Sequence, residues 1–201
     1  MPRKRKGVFI CIEGIDGSGK TTQAHLLVET LKIKAYDAIY TTEPSNGILG
    51  QMIRRNMLQG SLRVPTIVEA VFFAADRVDH IEKEIELSIK AEKIVVCDRY
   101  VYSSIAYQGA SNINLGWIEQ INRYAIKPDL AIYIDVPPEI VFKRMKRRKS
   151  VMETPHIQKK VRRNYLKLVK EKHLEMVDGN HSINQVAKTI ENIVLRFLEK
   201  H

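Results

Sequence analysis

Two cysteines and one tryptophan in 201 residues set the first limits on this chain. Cys11 and Cys97 each fall inside an apolar run, Val8-Phe9-Ile10-Cys11-Ile12 and Ile94-Val95-Val96-Cys97. They read as small core residues of a protein in a reducing, cytoplasmic compartment, not as a disulfide framework or a pair of metal ligands. No apolar stretch approaches the roughly 20 residues of a membrane span. The basic start, Met1 to Lys6, carries no apolar core of the secretory kind. Internal repeats, low-complexity tracts and interdomain linkers are absent, which leaves one domain over residues 1–201. Acidic residues are few beside basic ones, 23 against 33, and the formal net charge is +10. That excess raises nucleic acid as a partner. Yet it is concentrated in two blocks, Pro2 to Lys6 and Lys143 to Lys149, and no aromatic-basic platform accompanies them.

What is present is more specific. Residues 14–21 read Gly-Ile-Asp-Gly-Ser-Gly-Lys-Thr, a complete Walker A pattern. It follows an apolar run that reads as a buried strand and leads into a segment with helical spacing. Glycines let successive backbone N–H groups point into one concavity, and the helix start behind them adds partial positive charge. Phosphate-binding candidates are therefore Gly14, Asp16, Gly17, Ser18, Gly19, Lys20, Thr21 and Thr22. Lys20 would reach the β- and γ-phosphates of ATP, and the Thr21 hydroxyl would ligate Mg²⁺. The plain alternative is a glycine turn that binds nothing. A protein that handles anionic nucleotides also has reason to be basic.

Apolar strand-like runs alternate with helical segments along the rest of the chain. The spacing predicts strands at Val8–Glu13, Ala38–Thr42, Ile94–Cys97, Leu130–Ile134 and Leu174–Val177. Helices are predicted from about Lys20, over Ile48–Gln59, from Pro65 to about Ala91 with Pro65 in the first turn, and over Tyr102–Tyr107 and Leu115–Ile126. Three more follow, from Pro138 to about Arg147, over Ile157–Lys172, and after a Ser182 cap. Near-continuous apolar strands flanked by helices indicate a parallel sheet covered on both faces. The expected fold is a three-layer α/β P-loop NTPase with a five-stranded parallel sheet. Ligands then bind at the carboxyl ends of the strands, where Asp16, Glu43, Asp98, Arg99 and Asp135 fall.

Asp98 closes an apolar strand, the Walker B arrangement, and such an aspartate helps hold Mg²⁺, usually through water. A cation directly after it, Arg99, makes sense if a second phosphate docks there. The pair also reads as a salt-bridged strand end.

With these residues in view, the chain resembles the thymidylate kinases. Phe9 to Thr22 resembles their opening segment and Asp98-Arg99-Tyr100-Val101-Tyr102-Ser103-Ser104-Ile105-Ala106-Tyr107-Gln108-Gly109 their second signature. Phe72-Phe73-Ala74-Ala75-Asp76-Arg77 resembles their base-recognition stretch, and Val177-Asp178-Gly179 fits late in the chain. The resemblance is closest to archaeal members. It implies a nucleoside monophosphate kinase-like protein that converts ATP and dTMP to ADP and dTDP in dTTP biosynthesis, with Mg²⁺, and that forms a homodimer.

The resemblance also implies roles. Phe73 would stack on thymine, a contact worth roughly 1–3 kcal/mol, although on its own it reads as a core phenylalanine. Arg77, four residues on and on the same helix face, would donate to thymine O4; otherwise it pairs with Asp76 or another surface carboxylate. Ser104 and Gln108 would face the pyrimidine edge, Ser103 would belong to the same site, and Tyr107 would crowd the sugar 2′ position. Glu43 and Pro44 would line the acceptor site. Asp16 would contact the acceptor sugar and phosphate region, in some cases through Mg²⁺. Arg99 would grip the acceptor phosphate. In one subclass an arginine inside the phosphate loop stabilises the migrating phosphoryl group. Here that position is Gly17, so the arginine is expected from a lid around 143–157, where Arg144, Arg147 and Arg148 are available. Rival readings are a nucleotide kinase of other base preference, a nucleic-acid-dependent P-loop ATPase and a non-catalytic nucleotide switch.

Overall fold

A computed structural model describes residues 7–59, 62–144 and 155–200. The order is β1 (Val8–Glu13), α1 (Lys20–Ile33), β2 (Ala38–Thr42), α2 (Ile48–Met52), α3 (Thr66–His80), α4 (Glu86–Lys90), β3 (Ile94–Asp98), α5 (Val101–Ala110), α6 (Leu115–Ile121), β4 (Leu130–Asp135), α7 (Pro138–Arg144), α8 (Pro155–Lys170), β5 (Glu175–Asp178) and α9 (Ile183–Leu198). The five strands form one sheet in the order β2-β3-β1-β4-β5, every pair parallel. The expected α/β architecture is present.

Burial explains the strand composition. Every residue of β1 and β3 is buried, whereas the edge strands β2 and β5 are partly open. Central strands covered on both faces must be apolar throughout. On one face α1 and α9 pack against each other; α5 packs against both α3 and α8 on the other. Ser182 starts α9 with a reciprocal capping box to Gln185, as its position predicts. No helix among the described residues is long and apolar enough to cross a membrane.

Several boundaries differ from expectation. The segment from Pro65 to Ala91 is helical throughout but not uniform: Ile81–Ile85 forms a π-helical turn between α3 and α4, and Pro65 occupies the N-cap, not the first turn. A second π turn, Ile53–Leu58, extends α2. Helix α5 runs to Ala110. Helix α6 stops at Ile121 and not at Ile126; Asn122 is its C-cap, with Nδ2 donating back to Ile118 O of the same helix at 2.8 Å and Oδ1 accepting from Arg77. Strand β5 begins one residue late; Leu174 is buried but precedes the ladder. Most of the expected lid lies outside the described residues, including Arg147, Arg148 and the side chain of Arg144.

Candidate active site

The site grows from the carboxyl end of β1. After Glu13 the chain must turn sharply, and Gly14 permits it: a Cβ there would come within 2.5 Å of Ser18 Oγ and 2.9 Å of Ile134 O. Gly19, at φ 97°, ends the loop in a conformation that side-chain-bearing residues rarely adopt. It is also the N-cap of α1, and among the described residues no side-chain cap bond meets that helix, which leaves first-turn amides for another acceptor. Ser18 Oγ is buried and has no hydrogen-bond partner among the described residues. Donors converging at a helix start with nothing to bond are what an anion requires.

Lys20, which opens α1, is almost wholly buried, and its Nζ donates to Ile15 O at 2.9 Å. Burial and the neighbouring Arg99 lower its pKa to about 8, against the opposing pull of Asp98, Asp16 and Glu13. Thr21 Oγ1 donates to Asp98 Oδ2 across the gap between α1 and β3. The Walker A threonine and the strand-end aspartate are thus brought into direct contact. Asp98 Oδ1 is buried and unpaired among the described residues. Thr22 is exposed on the first turn of α1.

Arg99 follows Asp98 in the left-handed region, φ 71°. A non-glycine residue there costs on the order of 1–3 kcal/mol and persists only if its surroundings hold it. Here its N–H donates to Ile12 O at 3.0 Å. Its guanidinium bonds Asp16 Oδ1 and Ser103 Oγ and lies over the Tyr107 ring, 5.1 Å from the centroid. The Tyr107 hydroxyl donates to Asp16 Oδ2 at 2.9 Å, and Gln158 Nε2 on α8 adds a bond to the same oxygen at 3.1 Å. A carboxylate beside bound polyphosphate is electrostatically costly, and these partners offset that cost for Asp16. Burial pushes the Asp16 pKa up, but Arg99 and Lys20 outweigh it and the net shift is downward.

Beside the phosphate loop opens a cavity. Asp16, Glu43, Pro44, Phe73, Arg77, Arg99, Ser103, Ser104, Tyr107 and Gln108 all line it. It brings together every acceptor-side residue singled out from the sequence. Their individual bonds differ from expectation in three respects. Arg77 does not pair with Asp76, which instead accepts from Ser45 N and Oγ at 2.7 and 2.6 Å. Arg77 bonds Glu43 Oε2 through Nε and Nη2, Ser104 Oγ at 3.2 Å, and Asn122. Glu43 therefore lines the cavity chiefly as the anchor of Arg77. Ser103 donates to Glu13 Oε2 at 2.7 Å, so its hydroxyl serves the strand end more than the cavity.

Sequence reasoning missed Glu13, Glu69, His80, Asn122, Gln158 and Tyr165. Glu13 is wholly buried and accepts from Tyr100 N, Ser103 N, Ser103 Oγ and Tyr165 O–H, which fixes α5 against β1. Burial raises its pKa against the lowering effect of those bonds. A carboxylate ending an apolar strand was the available signal. Asp135, also noted at a strand end, is not in the cavity; it forms a two-point ion pair with Arg162 of α8, 2.8 Å at each contact.

A glycine cradle at the end of a central parallel strand, with a cavity for a second ligand beside it, defines a P-loop nucleotide-binding enzyme. The family model described as Thymidylate kinase matches residues 12–190. A probable thymidylate kinase of Pyrococcus horikoshii is 43% identical over 197 residues, covering 94% of this chain and 96% of the relative. Probable thymidylate kinases of Thermococcus onnurineus and Methanococcus aeolicus are 43% and 44% identical, covering 93% and 96% of this chain and 97% and 94% of the relatives. The chain belongs to the thymidylate kinase family.

Proposed function

We propose that this protein transfers the terminal phosphoryl group of ATP to dTMP, giving ADP and dTDP. The observation that carries the reading is one cavity lined both by Asp16 and Arg99, next to the glycine cradle, and by Phe73, Arg77, Ser104 and Gln108. That lining matches a nucleotide whose phosphate meets the first group and whose base meets the second. An acceptor phosphate is already ionised at neutral pH, so no strong general base is needed. Rate enhancement then comes from orientation and charge stabilisation by Lys20 and Arg99.

Mg²⁺ belongs to the same proposal. Among the described residues no group of three or more His, Cys, Asp or Glu could hold a metal. The pattern suits an ion coordinated largely by phosphate oxygens and water. Thr21 and Asp98 would hold it, and the unpaired Asp98 Oδ1 offers an acceptor for a metal-bound water. Both oxygens of Asp16 are already engaged, which favours Thr21 and Asp98 as the metal residues. Bound there, the ion would neutralise charge on the polyphosphate.

Gly17 offers no guanidinium inside the phosphate loop. The remaining charge stabilisation is assigned to the arginines at 144, 147 and 148. Association as a homodimer is part of the proposal as well, supported by the exposed Ile67, Val68 and Val71 clustered on α3. A panel of nucleoside monophosphates, with ATP and coupled ADP detection, with and without Mg²⁺, tests the reaction. Turnover with dTMP that depends on Mg²⁺ is expected, and no turnover with any deoxynucleoside monophosphate refutes it.

A further inference from the structure

The cavity wall contains a buried amide acceptor that no group in the described chain fills. Gln108, on α5, is 3% exposed. Its Nε2 donates to Glu69 Oε1 at 3.3 Å, while its Oε1 has no hydrogen-bond partner. Both residues line the cavity. A carboxamide is nearly symmetric in shape but not in hydrogen-bonding sense. Turned over, it would present donors where it now presents an acceptor. The group behind it decides between the two. An ionised carboxylate only accepts, so Glu69 engages the NH₂ end and leaves the carbonyl oxygen for the cavity. Burial raises the Glu69 pKa, and the bond from Gln108 offsets that rise only in part. Glu69 also shares a helix face with Phe73 and Arg77, one and two turns further along α3.

We propose that Glu69 is a positioning residue that fixes the orientation of the Gln108 amide and thereby determines which pyrimidine the cavity accepts. The proposal rests on the nucleotide kinase reading above. Thymine and uracil carry an N–H donor at ring position 3, which the Gln108 carbonyl oxygen accepts. Cytosine carries a lone pair at that position, and two acceptors then face each other in a site with little water. A polar site matched in sense discriminates far more strongly than an apolar pocket reading one methyl. Freed from Glu69, the amide turns to suit either base, and this part of the discrimination is lost.

The test compares kcat/KM for dTMP and dCMP in the wild type, Glu69→Gln, Glu69→Asp, Gln108→Ala and the Glu69→Gln/Gln108→Ala double variant. Glutamine at 69 preserves size but both donates and accepts. The dTMP/dCMP ratio is expected to fall about tenfold or more in Glu69→Gln, mainly through KM, and to be largely retained in Glu69→Asp, which keeps an acceptor-only group. In the Gln108→Ala background Glu69→Gln is expected to leave the ratio nearly unchanged, since the two residues act as a unit. A general loss of structure lowers both substrates alike, so an unchanged ratio in Glu69→Gln overturns the proposal, as does an undiminished effect without Gln108. Thermal melting checks folding, and Glu69→Leu serves the same comparison if Glu69→Gln does not fold. If the wild type fails to phosphorylate dTMP, the nucleotide kinase reading falls; if it phosphorylates dTMP and the ratio ignores position 69, only this inference falls.

Discussion

Arg77 donates to a single oxygen of Glu43 from two nitrogens, Nε at 2.9 Å and Nη2 at 2.7 Å, and both side chains are nearly out of contact with water. The guanidinium is thereby fixed from behind while it lines the cavity. Removing one member of such a pair leaves an uncompensated buried charge. Glu43→Gln is expected to lower stability by about 3–5 kcal/mol and to raise the KM for dTMP. Urea denaturation and initial rates check both, and a variant as stable as the wild type contradicts the anchoring role.

His80 lies behind the same carboxylate, its Nδ1 3.4 Å from Glu43 Oε1 and its Nε2 2.7 Å from Thr41 Oγ1. Burial opposes its charge, but Glu43 and Glu84 prevail and raise its pKa to about 9 from the ordinary 6.5. Below pH 6.5 both folded and unfolded chains hold the proton and the contribution to stability is fully present. Between 6.5 and 9 the unfolded chain releases the proton first, so stability declines and the contribution is lost as pH rises through 9. Unfolding free energy measured from pH 6 to pH 10 is expected to fall more steeply in the wild type than in His80→Gln. Parallel curves contradict this.

Lys20 has the opposite shift, downward to about 8. At pH 8.5 an appreciable fraction is neutral, and polyphosphate bound at the cradle restores the proton. Calorimetry in buffers of different ionisation enthalpy is expected to detect proton uptake on ATP binding at pH 8.5, absent in Lys20→Ala. Turnover in that variant should fall on the order of 10³-fold or more, with a modest effect on folding.

Tyr107 combines two functions that a single-atom change separates. Its hydroxyl bonds Asp16, and its ring lies beneath Arg99. Tyr107→Phe keeps the ring and deletes a hydrogen bond to a carboxylate, about 1.5–3 kcal/mol. A fall in kcat of about tenfold is expected, with preference for deoxyribose over ribose unchanged. Rates on dTMP and its ribonucleotide analogue decide.

The proposed preference for thymine over uracil depends on one methyl group, worth about 1–3 kcal/mol in an apolar pocket. dUMP is therefore expected to be a slower but genuine substrate. Outright preference for dUMP in initial-rate measurements contradicts the base-pocket reading.

The sequence makes the sheet legible because burial on both faces leaves the central strands no room for polar residues; β1 and β3 announce themselves as apolar runs ending in Glu13 and Asp98. The cradle is legible because its conformation demands glycine at named positions. Residues whose role depends on tertiary partners are not. Asn122 looks like one more helical residue until Arg77 claims its side-chain oxygen, and Glu69 and His80 look like polar positions on an amphipathic helix until the cavity and β2 meet them. The π turn at Ile81–Ile85 escapes periodicity, since one wide turn shifts the pattern without breaking it.

Glu13 has a wider consequence. By accepting from Tyr100 N and Ser103 N it places a carboxylate at the amino end of α5 and takes up two of the amides there. At the start of α1, by contrast, the N-cap is Gly19 and no side-chain cap bond is present among the described residues. In the proposed reaction the donor's phosphates can lean on main-chain dipoles, which point mutations scarcely alter, whereas the acceptor's lean on the Arg99 side chain. Inherited variation at that end of the cleft should therefore be the more damaging to substrate capture.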